Sequence, residues 1–377
     1  MSGTPLTTTV TTVRGEVPVD DLGITLTHEH LLNDVSSWWT PSVATGLDSE
    51  EFAAAPVTES LLWELRQDPF GNRDNCRLDD VDVACRELAR FAALGGRTVV
   101  ETTGFGIGRD LAGLRAITER TGVHVIAGTG FYLHDSHPDD VQALGADGVA
   151  ERILTDLRDG EDGVRPGIIG EIGVSADFTE AERTSLRGAL AAQRETGLPV
   201  QVHLPGWFRL GGDVLDVVEA EGVDPTRVVL CHMGPSGADH AYQRALLDRG
   251  AWLQYDMIGM EVHYADQGVQ CPSDEQNAEH VVGLVRAGHG GQLLLSQDVF
   301  VKSLLRHHGG PGYAHLLQYF LPRLLRAGLD ETTVTSLVTD NPRRLFAGGA
   351  SSTPTGAHPG AATTTETETE TDPKENG

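Results

Sequence analysis

Eight short apolar, β-branched runs recur between residues 24 and 299, separated by segments with helical spacing. The runs are ITLTHEH (24–30), RTVVETT (97–103), HVIAGTGFY (124–132), GIIGEIGVS (167–175), PVQVHLPG (199–206), VVLCHMG (228–234), WLQYDMIG (252–259) and LLLSQDV (293–299). Most are too continuously apolar at their starts for strands with one wet face. A parallel sheet covered on both faces accounts for that. The separating segments include DDVDVACRELARFAALGG (79–96), with Asp79 or Asp80 as its cap. Others are GRDLAGLRAITERTG (108–122), TEAERTSLRGALAAQRETG (179–197) and EQNAEHVVGLVRAGHG (275–290). Eight βα units in series predict an α/β fold, a single-domain (β/α)8 TIM barrel. The competing doubly wound open sheet gains no support, because no GxGxxG opens a helix after any run. Residues 312–346 read as two further helices closing the outer ring. The barrel is expected over 12–347, and the acidic, low-complexity 348–377 is expected to be a disordered tail.

A second departure from regularity is the loop of about residues 31–78 after the first run. It carries Trp38, Trp39 and a helical patch around SLLWELRQDP. Loops of that length inside compact domains are usually functional, and this one is expected over the barrel mouth.

In such barrels the working side chains stand at the C-terminal ends of strands. The first run ends in His28 and His30, which a period of two places on the same side. The fourth offers Glu171, the fifth His203, the sixth His232 and the eighth Asp298. Each alone has a bland explanation, a core histidine bonded to a carbonyl or an acid capping a helix. Six at equivalent places on five strands point to a metal site, since buried carboxylates and imidazoles are costly without cations. Imidazole and carboxylate donors suit zinc first, with manganese, cobalt or iron as alternatives. Six ligands exceed what one tetrahedral ion uses. They divide into His28, His30 and Asp298 around one ion and His203 and His232 around another, with Glu171 as the bridge.

The order HxH, strand-four acid, His, His, Asp resembles the amidohydrolase superfamily. Five stretches are similar to its phosphotriesterase-related branch: VRGEVPVDDLGITLTHEHLL (13–32), GFGIGRD (104–110), AGTGFY (127–132), GIIGEIG (167–173) and DNPRRLF (340–346). The resemblance implies a hydrolase in which a hydroxide bridging two divalent ions attacks a carbonyl or phosphoryl centre. Asp298 would accept the proton and pass it to the leaving group, and Tyr132, at the end of AGTGFY, would touch the substrate. A lactone or carboxylic ester is the expected substrate, with organophosphate triesters and N-acyl amides as alternatives on the same site. An idle metal-binding scaffold is the remote alternative, because every ligand position is filled. Many relatives bridge their metals with a carboxylated lysine. This chain has two lysines, Lys302 and Lys374, neither near the fourth run, so Glu171 takes that place.

The remaining features set boundaries. A net charge of −27 opposes nucleic-acid phosphates. No apolar run reaches the length of about 18 residues that spans a membrane. The start MSGTPLTTTVTTVRGEV lacks an apolar leader, and Cys76, Cys85, Cys231 and Cys271 form no CxxC. These point to a cytoplasmic protein with a small-molecule substrate, without membrane or nucleic-acid partners, compatible with a homodimer. Arg109 and Asp110 read as a structural pair. Cys231 is expected to face packing, and Trp38 and Trp39 to hold the long loop more than to line a pocket.

Overall fold

A computed structural model describes residues 8–138 and 141–348. The expected tail lies outside the described residues. The eight runs are the eight strands of one parallel sheet in sequence order: Ile24–Glu29, Gly96–Glu101, His124–Thr129, Ile168–Gly173, Val200–His203, Val228–Leu230, Trp252–Tyr255 and Leu293–Leu295. Adjacent strands pair in parallel register, as Val99 with Val125 and Val229 with Gln201. The first and eighth strands meet without a regular ladder. Thr27 Oγ1 donates to the Leu295 carbonyl at 3.3 Å, the His28 N–H to Ser296 Oγ at 3.0 Å and the Asp298 N–H to the His28 carbonyl at 3.2 Å. These three bonds help close the barrel and also fix His28 and Asp298.

Helices return between the strands where the spacing places them, at Val81–Ala93, Leu111–Thr121, Glu180–Thr196 and Asp274–Leu284 among others. Asp80 caps the first of these, accepting the N–H groups of Asp82 and Val83. Thr179 with Glu182, and Ser273 with Gln276, form complete capping boxes that satisfy N–H groups at two helix starts. The closing segment departs from the expected two helices. Leu321–Arg326, Glu331–Val338 and Asp340–Ala347 are separate, because the chain turns through Gly328 at φ 95° and leaves helical geometry again at Thr339.

An N-terminal hairpin, Thr9–Thr12 with Gly15–Pro18, lies under the barrel. Its Val10 packs with Val100, Ile126, Ile168, Val229, Trp252 and Leu294, the apolar floor inside the strands. Four-residue strands alternate too briefly to stand out in sequence, which is why the hairpin was not anticipated.

The expected pairing of Arg109 with Asp110 is wrong. Asp110 caps the helix Leu111–Thr121 through the Gly113 N–H, a local bond that uses its carboxylate. Arg109 instead forks onto Asp156 at 2.5 and 3.0 Å and reaches Glu161 at 3.1 Å, tying the second and third βα units together. Its side chain is 3% exposed and that of Asp156 7%. Removing one partner leaves a buried charge alone, so Arg109→Ala should lower the unfolding free energy by about 3–5 kcal/mol in a urea titration. Arg109→Leu with Asp156→Leu should recover a large part of that loss; equal stability of Arg109→Ala and wild type would mean the pair is unimportant.

Candidate metal centre

The strand ends bring all six expected residues to one point. Glu171, 2% exposed, stands at the middle. Its Oε1 lies 3.4 Å from His30 Nε2; its Oε2 lies 3.2 Å from His203 Nδ1, 3.5 Å from His232 Nε2 and 3.6 Å from His28 Nε2. Asp298 Oδ1 is 3.6 Å from His28 Nε2 and 3.4 Å from His30 Nε2. Ligand-type atoms of His28, His30 and Asp298, and again of His28, Glu171 and His232, lie within 4.8 Å of one another. His203 is joined to them by Glu171 and by a 2.8 Å approach of its Nδ1 to His232 Nε2. His28 therefore belongs to both groups, and Glu171 turns one oxygen to His30 and the other to His28, His203 and His232.

The donors fit divalent cations on the geometry alone. His28 Nε2 is fully buried and has no hydrogen-bond partner, although it faces two carboxylates. His203 and His232 point ring nitrogens at each other, an arrangement that requires a proton or a cation between them. Charge tells the same story. Burial acts to raise Glu171, but the adjacent His28 and hydrogen bonds from His203, His232 and His30 hold it well below the usual carboxylate range. Burial lowers His30, yet Asp298 and Glu171 outweigh that and lift it to about 10. For His28 burial prevails and its affinity for a proton falls.

Three buried carboxylates that sequence reading passed over hold the imidazoles in place. Asp256, at the end of the seventh strand, accepts the His232 N–H and lies 3.0 Å from His232 Nδ1. Its other oxygen is 3.7 Å from His28 Nδ1, so one acid faces a histidine from each part. Thr103 Oγ1 lies 2.8 Å from His30 Nδ1 and donates to Glu101 at 2.6 Å. Glu29, turned away from its neighbours His28 and His30, accepts the N–H groups of Gln297 and Val299 and the hydroxyl of Ser296, fixing the turn that presents Asp298. The signal was available. Each is a charged residue at the end of an apolar run, but what it binds arrives from another part of the chain, and Glu29, between two histidines, is masked by them. His232 and Asp298 also sit at φ 59° and 50°, left-handed backbone that costs about 1–3 kcal/mol per residue and persists only when surroundings dictate it.

Above the cluster opens a cavity of about 590 Å3. Tyr132 lines it, its ring edge-on to His203 with centroids 4.9 Å apart. Trp38 lines it as well and stacks on Phe70, so the long loop does border the mouth, and Trp38 is a pocket residue. Trp39 keeps the expected loop role, with the Arg73 guanidinium 3.4 Å above its ring. Trp207, Tyr264 and His134 are wall residues the sequence did not single out. Cys231 packs in the apolar floor, but its Sγ does not face packing alone: it lies within 4.8 Å of ligand-type atoms of His28 and Asp256 and accepts from Gln254 Nε2 at 3.4 Å, and burial raises its thiol well above the usual range.

A parallel barrel with imidazoles and carboxylates gathered at its strand ends defines a class, the metal-dependent hydrolases of the amidohydrolase superfamily. Within it the chain belongs to the phosphotriesterase family, whose profile matches residues 8–346. It is 32% identical to the N-acetyltaurine hydrolase of Danio rerio and 31% to that of Homo sapiens, over 89% of this chain and 97% of each relative. A crystal structure of a resiniferatoxin-binding protein from Rhodobacter sphaeroides superposes with a TM-score of 0.87 at 51% identity, covering 90% of this chain and 94% of that one. A phosphotriesterase homology protein from Escherichia coli, solved with phosphate in its active site, gives 0.71 at 28% identity over 87% and 99%.

Lys302 pairs with Asp74 at 2.6 Å, outside the cluster, so among the described residues no lysine is placed to supply a carbamate there. Reconstitution of metal-stripped protein should proceed equally with and without added bicarbonate. Glu171→Gln should bind one equivalent fewer of metal by elemental analysis; retention of full metal and turnover would remove the bridge. Asp256→Asn weakens the anchor of histidines in both parts. Chelator competition should show metal affinity lowered by about 10–100-fold, the usual cost of such supporting carboxylates; unchanged affinity would make Asp256 dispensable to the site.

Proposed function

We propose that this hydrolase cleaves a neutral lactone or carboxylic ester with an apolar body, and that two divalent ions, zinc by donor chemistry, are held by His28, His30, Glu171, His203, His232 and Asp298. The observation that carries the substrate reading is the polarity of the cavity. Among the described residues its wall contains no arginine or lysine. Trp38, Phe70, Tyr132, Trp207, Tyr264 and Phe300 supply broad apolar surfaces, and beyond the cluster the charged wall residues are Asp135, Asp177 and Glu182. An anionic substituent would enter without a counter-charge and past three acids, whereas a neutral acyl body gains from burial against the rings.

When bound, the ions supply Lewis acidity, lowering the pKa of water and polarising the substrate oxygen. The chain's own groups then do the rest. Glu171 supplies the negative charge that lets two cations approach. Asp298 lies in the cavity wall with its Oδ1 facing His28 and His30, placed to hold the proton of the attacking water and hand it to the leaving oxygen. The Tyr132 hydroxyl stays protonated, since burial and then the Glu171 and Asp298 charges raise it well above its usual value. It therefore approaches the substrate as a neutral hydrogen-bond donor. Trp38 packs against the apolar cluster that contains Tyr132.

A second reading, N-acyl amide hydrolysis, is favoured by the N-acetyltaurine hydrolases that match along nearly their whole length. Taurine's sulfonate is the anion this cavity does not accommodate. Initial rates of metal-loaded protein on alkyl lactones, aryl esters, neutral N-acyl amides, N-acetyltaurine and an organophosphate triester separate these readings. We expect kcat/KM for a medium-chain lactone to exceed that for N-acetyltaurine by about 100-fold or more, the cost of leaving a charged group unpaired. Faster turnover of N-acetyltaurine than of any lactone or ester would overturn the proposal. Tyr132→Phe should lower kcat for the preferred substrate by roughly tenfold with little change in metal content, as loss of one transition-state hydrogen bond does.

A further inference from the structure

Beside the barrel lies a second cavity of about 420 Å3, walled by the helix Val81–Ala93, by residues 259–262 after the seventh strand and by residues 303–312 after the eighth. Its wall shares no residue with the cavity above the metal centre. We propose that it binds a small phosphate-bearing anion.

The argument rests on an imbalance of donors and acceptors. Arg66, Arg90 and Arg306 line the cavity, and among the described residues none of their guanidinium groups has an ion-pair or hydrogen-bond partner. Arg323, also in the wall, gives one nitrogen to Glu275 at 2.5 Å, while its Nε is buried without a partner. The Ser303 hydroxyl, on a residue 7% exposed, is buried in the same wall and also unpartnered.

The acids nearby are already engaged. Glu87 accepts the N–H groups of Arg306 and His307 at 3.0 and 2.8 Å. Asp274 accepts the Gly259 N–H at 2.8 Å and lies 2.7 Å from His315 Nε2, and Glu261 accepts the Asp274 N–H at 3.0 Å. Donors are thus left over, two of them buried, in a space too small for a macromolecule. Leaving buried donors unsatisfied is costly, and a tetrahedral oxyanion brings several acceptors at once. Planar guanidinium forks match phosphate oxygens in pairs, which favours phosphate over chloride or a single carboxylate. Tyr319, 53% exposed at the wall, offers a ring face to an organic body beyond the phosphate.

Calorimetric titration of the metal-loaded protein at constant ionic strength tests this, with inorganic phosphate, phenylphosphonate and chloride as probes. Saturable binding of phosphate is expected, absent with chloride. Arg90→Ala with Arg306→Ala, both exposed and outside the hydrolytic site, should weaken it by at least about tenfold while melting temperature and turnover on the preferred substrate stay unchanged. Tighter binding of phenylphosphonate, lost in Tyr319→Ala, would assign the natural ligand to phosphorylated small molecules; equal binding of the two probes would assign it to free phosphate. The proposal fails if phosphate does not saturate at millimolar concentrations or if chloride gives the same heats. It also fails if the arginine pair can be removed without effect, or if a competitive inhibitor of hydrolysis displaces the anion, which would place it at the catalytic mouth instead.

Discussion

The fold around the mouth is organised by one buried carboxylate. Glu171 has four imidazoles within 3.6 Å, one oxygen turned to His30 and the other to His203, His232 and His28. A charge so placed is unstable unless positive charge comes to it, by protonation of the histidines or by cations between them. Protons can serve in part, as the raised affinity of His30 for a proton indicates. They cannot satisfy His28 Nε2, which stays without a partner in surroundings where a lone polar atom costs free energy. The donor set of the site therefore suits cations, and its supporting structure holds the donors in place.

That support comes from acids one layer further out. Glu29, Glu101 and Asp256 are all fully buried and all accept hydrogen bonds from the backbone or side chains that carry the imidazoles and Asp298. Glu29 does the most architectural work, because the first and eighth strands lack a continuous ladder where they meet. By gathering the N–H groups of Gln297 and Val299 it brings the end of the eighth strand to His28. The left-handed backbone at His232 and Asp298 is held in the same way, by the Asp256 carboxylate and by the His28 carbonyl. Closure of the barrel and presentation of the site are one set of bonds.

The two cavities are opposite in character. The one above the metal centre is aromatic with an acidic edge and contains no arginine or lysine among its described wall residues; the one beside the barrel has four arginines and donors without acceptors. A chain with net charge −27 and 28 basic residues that groups four of them on one small cavity has separated two recognition problems on one scaffold.

Apolar periodicity determined the eight strands, their parallel order and the place of the six cluster residues, because a strand's covering and its end position are local properties. His28 and His30 were legible through a period of two, and the want of a lysine near the fourth strand pointed to Glu171 as the central carboxylate. Local pattern failed where a residue's partner is distant. Arg109 looked paired to its neighbour Asp110, but the neighbour was needed as a helix cap and the guanidinium crossed to Asp156. Asp256, Glu101 and Glu29 read as stray acids in apolar runs, since what they bind arrives from other strands. Trp38 stands at the mouth stacked on Phe70, thirty-two positions on, and packed against the cluster of Ile107, Tyr132 and Leu133. The arginines of the second cavity come from four separate segments between residues 66 and 323, and no spacing connects them. Sequence alone determined which side chains stand at strand ends, because alternation and burial act along the chain; tertiary structure alone decided which of them share a charge or a wall, because those contacts depend on how the barrel closes.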